Sequence, residues 1–320
     1  MKETVLVTDC ELGDTKLERE LLAQAHLRLI DGGCRSEDDV IAAARACSPL
    51  ALLVHKLPIT RETLANCPSL RVVVRYGVGV ENIDATAASE LGISVRNVAG
   101  YATNEVADHT LSLLLTLVRG IDGWQATSPA ARWNLRSDSQ PPPDLSTCTL
   151  GIIGLGSIGR AVARRAHAFG MNLVAYDPHC SPADADGLAP LTDWKSFWDV
   201  ASIVTIHAPL TPATHRMIDE EVFDQARMVR YLINTSRAEL VDRSSLEIAL
   251  HKDILYGVGL DVWWSEPPIT SDPLLSHPRV TFTPHVAWLS STSTVRLKTA
   301  AAAAVTEALG RSAPVIPSTR

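Results

Sequence analysis

The sequence predicts an α/β protein of two domains, each built on a parallel β-sheet. Short apolar runs alternate with helix-like stretches, and this alternation favours parallel strands covered by helices on both faces. The runs form two sets, separated by a long apolar helix over about Thr103–Arg119. A chain of 320 residues is also long enough for two domains of ordinary size.

The first set of apolar runs lies in the first 97 residues. Helix-like stretches around 14–25, 36–47 and 60–66 separate its members. The predicted strands are TVLVTD (4–9), LALLVH (50–55), RVVVRY (71–76) and GISVRN (92–97).

The helix over Thr103–Arg119 carries the run HTLSLLLTLV, whose leucines repeat too densely for a helix that faces solvent. We therefore expect it to be buried at a domain junction or in a subunit interface. The polar, proline-rich stretch SDSQPPPDLS (137–146) indicates an exposed arm or loop.

The second set of apolar runs precedes a C-terminal helix. Serine and threonine residues mark the start of that helix and Gly310 marks its end. The predicted strands are TLGIIGLG (149–156), NLVAYD (172–177), ASIVTIH (201–207), YLINTS (231–236), YGVGLDV (256–262) and RVTFTPH (279–285).

Composition and charge exclude several classes of function. The chain is 46% hydrophobic and 20% charged, as globular proteins are, and its formal charge of −7 argues against a nucleic-acid partner. It has no signal-peptide pattern and no run of apolar residues long enough to span a membrane. The six cysteines are widely spread, so we expect reduced thiols and a cytoplasmic location. No spacing typical of a metal site is present.

The stretch GIIGLGSIGRAV contains the most specific motif, G-x-G-x-x-G, at Gly154, Gly156 and Gly159. Such glycines permit a tight turn, the approach of a pyrophosphate and close helix–strand packing. A glycine-rich turn without a ligand is the alternative. The preceding strand, the following helix and Asp177, about 20 residues after Gly156, favour a dinucleotide site.

Asp177 also indicates which dinucleotide binds. A carboxylate at this strand end accepts hydrogen bonds from a ribose 2′-hydroxyl and repels a 2′-phosphate. The next residues, Pro178 and His179, include no arginine that would hold such a phosphate. The sequence therefore predicts NAD rather than NADP.

Three side chains that suit hydride transfer to a 2-oxo acid follow later strands: Arg237, Glu266 and His285. Arginine can bind a carboxylate and a keto oxygen, and histidine can donate a proton near neutral pH. A carboxylate bonded to that histidine fixes its tautomer. Taken singly, Arg237 could be a surface residue and Glu266 simply solvated.

The ordered motifs resemble the D-isomer-specific 2-hydroxyacid dehydrogenase family, in wording closest to the branch of the C-terminal-binding proteins. The resemblance implies a Rossmann NAD-binding domain over 98–286, a flavodoxin-like substrate domain over 1–97 and 287–320, and a cleft between them. The motifs are RYGVGVENID, NVAGYATNEVADHTLSLLL, GIIGLGSIGRAV, HAPLTPATHRMID, NTSRAELVD, GLDVWWSEPP and TPHVAW.

The resemblance also implies roles for residues. Arg237 would orient the substrate, Glu266 would partner His285 as acid/base, and the backbone of Val78 and Gly79 would bind the substrate carboxylate. Cofactor contacts would come from Arg237, His285 and the glycines together with Thr103, Ser157, Ile158, Asp177, Ala208, Pro209, Thr214, Thr235, Ser236 and Asp261, the last meeting the nicotinamide amide. A homodimer, formed through the 103–119 helix and the 120–146 arm, is expected as in the family.

Several residues have two readings. Arg75 either takes a second anionic group of the substrate or pairs with Glu81 or Asp84. Trp288 is either an apolar wall for the substrate or hinge packing. His207 could touch the cofactor, and the two tryptophans of WWSEPP pack under their loop or line the pocket.

The sequence thus predicts an NAD-dependent enzyme that interconverts a small 2-oxo acid and a D-2-hydroxy acid. The alternative is an NAD-dependent regulatory protein with vestigial chemistry. Retention of Arg237, Glu266 and His285 favours the enzyme.

Overall fold

The computed structural model describes residues 3–122, 141–183, 185 and 187–314. They divide into two compact units. One holds the described residues up to Ala102 and from Leu289 onward, and the other is Thr103–Trp288. Each boundary lies a few residues later than the sequence predicts. Residues 123–140, most of the predicted arm, lie outside the described residues.

The described part of the chain contains helices in both units. None of them combines the length and apolar character needed to traverse a bilayer. The α-helices are α1 (Lys16–Gln24), α2 (Glu37–Cys47), α3 (Arg61–Ala65), α4 (Ala85–Glu90), α5 (Thr103–Arg119), α6 (Ser157–Ala168), α7 (Trp194–Val200), α8 (Glu220–Gln225), α9 (Arg243–His251) and α10 (Ser293–Ala308). Short 3-10 helices lie at Leu145–Thr147, Ala238–Leu240 and Pro273–Ser276.

Two parallel sheets form the centres of the two units, which confirms the predicted α/β fold. The strands are β1 (Thr4–Val7), β2 (Arg28–Asp31), β3 (Ala51–Val54), β4 (Val72–Arg75), β5 (Ser94–Arg96), β6 (Thr149–Ile153), β7 (Asn172–Tyr176), β8 (Ile203–Ile206), β9 (Tyr231–Asn234), β10 (Gly257–Leu260) and β11 (Val280–Phe282). Their orders are β2-β1-β3-β4-β5 in the first unit and β11-β10-β9-β8-β6-β7 in the second.

The sequence patterns did not predict β2. It lies at the edge of its sheet, paired only with β1 among the described strands. Its sequence, RLID, has two apolar residues between two charged ones, and Arg28 and Asp31 are exposed. An edge strand needs only one buried face and no long apolar run. Its hydrophobic pattern is therefore too weak to identify the strand from the sequence.

Helix α5 packs against the sheet of the second unit. A Cβ added at Gly259 would lie 3.2 Å from Leu113 Cβ, and one at Gly257 would lie 3.1 Å from Leu117 Cδ2. The glycines of β10 therefore allow α5 to approach the strand closely. The dense leucines of this helix are accounted for by burial within its own unit, where Leu111, Leu113 and Leu114 belong to the core.

Glu18 and Lys298 form a buried ion pair in the first unit. Glu18 on α1 is fully buried, and its Oε1 lies 3.7 Å from Lys298 Nζ and accepts the Tyr76 hydroxyl at 3.0 Å. Lys298 on α10 also donates to the Asp14 carbonyl oxygen. Burial raises the pKa of Glu18, while Lys298 and Tyr76 oppose that rise. The second oxygen, Oε2, has no hydrogen-bond partner among the described residues.

We expect Lys298→Met to reduce the free energy of unfolding by about 3 kcal/mol at about pH 8, because Glu18 would be left buried without a counter-charge. The loss should be smaller at about pH 5. At that lower pH, protonation of Glu18 favours folding, because its pKa is higher in the native state than in the unfolded chain. Urea unfolding at both pH values, followed by circular dichroism, measures the effect.

The double variant Glu18→Gln/Lys298→Met should lose less stability than Lys298→Met alone, because no buried charge remains. Lys252→Met is the matched control, since Lys252 pairs with Glu220 at 3.8 Å with both side chains exposed. We expect it to change the stability by at most about 0.5 kcal/mol. Equal losses in the single and double Lys298 variants would contradict the role given to the Glu18 charge.

Candidate active site

The glycine-rich turn follows β6 and opens helix α6. Gly154 has φ +90, and a Cβ there would lie 2.7 Å from the backbone of His207, at the end of β8. A Cβ at Gly159 would lie 2.1 Å from the Gly154 carbonyl oxygen. Both positions therefore need glycine. The turn sits where the strand order reverses between β6 and β8, the place where open α/β sheets bind ligands.

Gly156 differs from these two glycines, because a Cβ there would meet nothing within 4 Å. The space beside the turn is open. The first bond of α6 runs from the Arg160 N–H to the Gly156 carbonyl at 3.0 Å, so the N–H groups of Ser157, Ile158 and Gly159 precede it. A helix start of this kind fits the phosphates of a dinucleotide.

Asp177 follows β7 beside this turn. Its Oδ2 accepts the Leu155 N–H at 2.8 Å, and its Oδ1 accepts the His179 N–H at 2.9 Å. The carboxylate is thus held against the glycine-rich turn with acceptor capacity left on each oxygen. Its position after β7 is the one from which a ribose hydroxyl is bound in dinucleotide folds.

The register of three strands brings the remaining candidates to one edge of the sheet. Leu260, the last residue of β10, pairs with Asn234 of β9 and Phe282 of β11. Thr235, Asp261 and Thr283 are therefore the first residues beyond three neighbouring parallel strands. This is also the edge at which β6 leads into the glycine-rich turn.

His285 and Glu266 form a direct hydrogen bond. His285 Nδ1 lies 2.7 Å from Glu266 Oε2, and Glu266 Oε1 accepts the Trp263 N–H at 3.1 Å. The side chains of His285 and Glu266 are 38% and 40% exposed, so the pair is open to a ligand. The Glu266–Pro267 peptide bond is cis.

Opposing effects determine the pKa of Glu266. Burial alone would raise it, but the hydrogen bond and charge of His285, the Trp263 N–H and the charge of Arg237 together lower it. Glu266 is therefore favoured as a carboxylate, and a carboxylate stabilises a protonated imidazole that is bonded to it.

Arg237 follows β9 in a turn that is held by its neighbours. Asn234, which is fully buried, donates from Nδ2 to the Arg237 carbonyl at 2.8 Å and accepts the Ser236 N–H at 3.0 Å. Ser236 Oγ donates to the Ile206 carbonyl at 2.8 Å, and Arg237 Nη1 donates to the Ser236 carbonyl at 2.7 Å. The sequence reasoning did not single out Asn234, although an amide at a strand end is a common turn residue.

Asp261 is 1% exposed and accepts hydrogen bonds from three groups near His285. The donors are the Thr283 hydroxyl at 2.6 Å and the N–H groups of Val286 and Ala287, each at 2.9 Å. His109 on α5 reaches the Thr283 hydroxyl at 2.8 Å. Neither Thr283 nor His109 was singled out from the sequence, although Thr283 opens the motif TPHVAW and His109 lies within NVAGYATNEVADHTLSLLL.

The two tryptophans of WWSEPP pack under their loop. Trp263 is 7% exposed and donates from Nε1 to Asp272 Oδ2 at 2.9 Å. Trp264 donates from Nε1 to the Val241 carbonyl at 3.1 Å, and the Arg243 guanidinium lies over its ring at 5.7 Å from the centroid. Of the two readings, the packing role is the one that these contacts support.

The expected substrate residues Arg75, Val78 and Gly79 belong to the first unit. Gly77 has φ +136, and a Cβ there would lie 1.5 Å from Arg75 Nη1, so the guanidinium lies directly over this glycine. Asn97 Nδ2 donates to the Val78 carbonyl at 2.5 Å, and the Val98 N–H donates to the Gly77 carbonyl at 2.8 Å. The turn is thus braced from one side while the Val78 side chain is 51% exposed.

The other candidates occupy loops and element ends of the second unit. Thr103 begins α5, and Ala208 and Pro209 follow β8. Thr214 donates to the Pro209 carbonyl at 2.6 Å, and Thr235 Oγ1 lies 3.0 Å from Thr110 Oγ1. Trp288 Nε1 donates to the His285 carbonyl at 3.0 Å, a contact compatible with both readings of this residue.

His207 lies under the glycine-rich turn. Burial lowers its pKa to about 3, so the imidazole is neutral at physiological pH. Its Nε2 lies 3.0 Å from Thr205 Oγ1. Among the described residues, no group of three or more His, Cys, Asp or Glu side chains is placed to hold a metal ion.

Comparison with known proteins identifies the family of the chain. Residues 111–287 match the family model described as D-isomer specific 2-hydroxyacid dehydrogenase, NAD binding domain. A glycerate dehydrogenase of Methylorubrum extorquens is 34% identical over 244 residues, which cover 74% of this chain and 76% of that enzyme.

Solved structures show the same architecture. D-lactate dehydrogenase from Aquifex aeolicus, complexed with NAD and lactic acid, superposes with a TM-score of 0.81 at 26% identity, covering 96% of this chain and 95% of that one. A Thermus thermophilus protein superposes with a TM-score of 0.83 at 30% identity, covering 98% and 100%. The chain belongs to the D-isomer specific 2-hydroxyacid dehydrogenase family, with NAD as its cofactor.

Proposed function

We propose that the protein reduces a small 2-oxo acid to the D-2-hydroxy acid with NADH, and catalyses the reverse oxidation with NAD. The hydrogen bond between His285 and Glu266, at the carboxyl edge of an NAD-binding sheet, carries this proposal. It supplies a proton donor whose tautomer is set by a carboxylate, which the reduction of a ketone requires.

The second unit supplies the residues that would hold the cofactor. The turn from Gly154 to Gly159 and the start of α6 would bind the pyrophosphate, and Asp177 would bind the adenosine ribose. Bound there, NADH would supply the hydride for reduction of the carbonyl carbon and would be converted to NAD. Further contacts are proposed for Thr103, Ser157, Ile158, Ala208, Pro209, Thr214, Thr235, Ser236, Arg237, Asp261 and His285.

His285 would donate its proton to the keto oxygen as that oxygen gains charge. Glu266 bonds Nδ1 and so leaves Nε2 of the imidazole for the substrate. In the oxidation direction, Nε2 would remove the proton of the hydroxyl group. Glu266 stabilises the protonated ring in both directions, because its pKa is lowered and it remains a carboxylate.

Arg237 would orient the substrate by binding its carboxylate and keto oxygen, which a planar guanidinium can do with two parallel hydrogen bonds. In the first unit, the backbone of Val78 and Gly79 is proposed to contact the substrate carboxylate, as the family resemblance implies. Arg75 lies over Gly77 in the neighbouring turn, so a substrate with a second anionic group is one candidate class. Glycerate and lactate, named for two relatives, are small 2-hydroxy acids of the expected kind.

Two expectations from the sequence stay predictions. The homodimer depends partly on residues 123–140, which lie outside the described part of the chain. The cytoplasmic location rests on the wide spacing of the cysteines.

A spectrophotometric assay of NADH oxidation tests the proposed function. The panel should contain hydroxypyruvate, glyoxylate and branched-chain, aryl and phosphono 2-oxo acids, with chiral chromatography of each product. We expect turnover of at least one acid to the D enantiomer. His285→Asn should reduce kcat by about 10³-fold, as expected for loss of a general acid, and change the Kd for NADH less than about twofold. Tight NADH binding without any turnover would support a regulatory protein instead.

Glu266→Gln should lower kcat for the reduction by about a hundredfold. The amide keeps the size of the side chain but removes the negative charge that fixes the tautomer of His285 and supports it as proton donor. Steady-state kinetics at a single pH measures kcat. Glu247→Gln, at a half-buried glutamate bonded to Arg243 at 2.9 Å, is the matched control and should keep kcat within about twofold of the wild-type value. A wild-type kcat in Glu266→Gln would contradict the role of Glu266.

Asp177→Asn should weaken the discrimination against NADPH. The amide keeps the size of the side chain but removes the charge that would repel a 2′-phosphate. We expect the ratio of kcat/KM for NADH to that for NADPH to fall about tenfold or more. Asp199→Asn, at an exposed aspartate on α7, controls for net charge and should not alter the ratio. No change in the Asp177 variant would mean that another group selects the cofactor.

A further inference from the structure

His285 has an unusual backbone conformation. Its φ is +55, in the left-handed region that non-glycine residues seldom adopt. Such a conformation persists only where the surroundings fix it. The proposed proton donor therefore depends on groups that hold its backbone, and the hydrogen bond to Glu266 restrains only the ring.

The carboxylate of Asp261 binds the chain on both sides of His285. Oδ1 accepts the Thr283 hydroxyl at 2.6 Å and the Val286 N–H at 2.9 Å, and Oδ2 accepts the Ala287 N–H at 2.9 Å. Within the same turn, the His285 N–H donates to the Thr283 carbonyl at 3.0 Å. One buried side chain thus fixes the residues before and after the left-handed position.

His109 continues this network into α5. The Thr283 hydroxyl has one hydrogen, and it points to Asp261, because a carboxylate can only accept. The contact of 2.8 Å between His109 Nε2 and Thr283 Oγ1 must therefore be donated by the imidazole. His109 Nε2 also lies 3.6 Å from Asp261 Oδ1, so its N–H dipole faces the buried carboxylate.

We propose that Asp261, Thr283 and His109 act together as a positioning unit that holds His285 in its left-handed conformation, at the angle where Nδ1 meets Glu266. This inference rests on the proposed function, in which His285 is the proton donor. It gives Asp261 a second role beside the expected contact with the nicotinamide amide. Three of the four acceptor positions of the carboxylate are used by the turn itself.

Thr283→Val tests the unit, because valine has nearly the same shape but cannot link His109 to Asp261. We expect kcat for the 2-oxo acid to fall about tenfold to a hundredfold, as for a misplaced catalytic group, while the Kd for NADH changes less than about twofold. Quenching of tryptophan fluorescence measures that Kd. Thr283→Ser restores the hydroxyl and should recover most of kcat.

Thr281→Val is the matched control. Thr281 lies on the same strand, β11, and its hydroxyl donates to the exposed Asp122 at 2.9 Å. This variant loses the same kind of hydrogen bond away from the His285 turn, so kcat should stay within about twofold of the wild-type value. Thermal unfolding of all variants shows whether any loss of kcat comes from loss of the fold.

A second measurement does not depend on activity. In ¹⁵N-labelled protein at about pH 6, the imidazole signals of His285 should report its hydrogen bond to Glu266, and the Glu266→Gln variant assigns them. We expect Thr283→Val to shift or broaden these signals, and Thr283→Ser and Thr281→Val to leave them in place.

Three outcomes would overturn the inference. The first is that the His285 signals are unchanged in Thr283→Val. The second is that kcat of Thr283→Val is as high as that of Thr281→Val. The third is that Thr283→Val loses NADH affinity by as large a factor as it loses kcat, which would mean that the unit serves cofactor binding. If the wild-type protein reduces no 2-oxo acid, the proposed function fails, and the imidazole signals alone decide whether the unit holds His285.

Discussion

A buried carboxylate must find hydrogen-bond donors, and at the end of β10 this requirement organises the candidate site. Asp261 is 1% exposed, so water cannot solvate it, and its partners must come from the protein. They come from the Thr283 side chain and the backbone of Val286 and Ala287. The loop that satisfies this charge is the loop that carries His285. Folding of the second unit and placement of the proposed proton donor therefore depend on the same interactions.

Close backbone packing is the second requirement of the site. Gly257 and Gly259 bring α5 against β10, and α5 contributes His109 beside Thr283. Gly154 and Gly159 bring the start of α6 against the ends of β6 and β8. The glycines of the G-x-G-x-x-G motif and those of β10 thus have the same role. A side chain at any of these positions would keep two packed elements apart. Polar groups at the carboxyl edge can meet only because these elements are close.

Much of the fold could be predicted from the sequence, because alternation of apolar runs and helices and the G-x-G-x-x-G motif are local signals. The edge strand β2 was missed because an exposed strand with two apolar residues gives almost no such signal. The site was harder to predict than the fold. Arg237, Glu266 and His285 could be selected by residue type and position, but the contacts of Asp261 depend on the register of β10 with β11. That register is a property of the sheet, and no motif encodes it.

The buried pair of Glu18 and Lys298 has a consequence for the order in which the chain folds during synthesis. Glu18 emerges from the ribosome about 280 residues before Lys298 and the apolar residues Leu297, Ala301 and Val305. Until α10 arrives, the first unit has an unfilled core and an uncompensated carboxylate. The second unit is continuous in sequence and does not wait for a distant segment. The unit that begins first on the ribosome is therefore the one completed last.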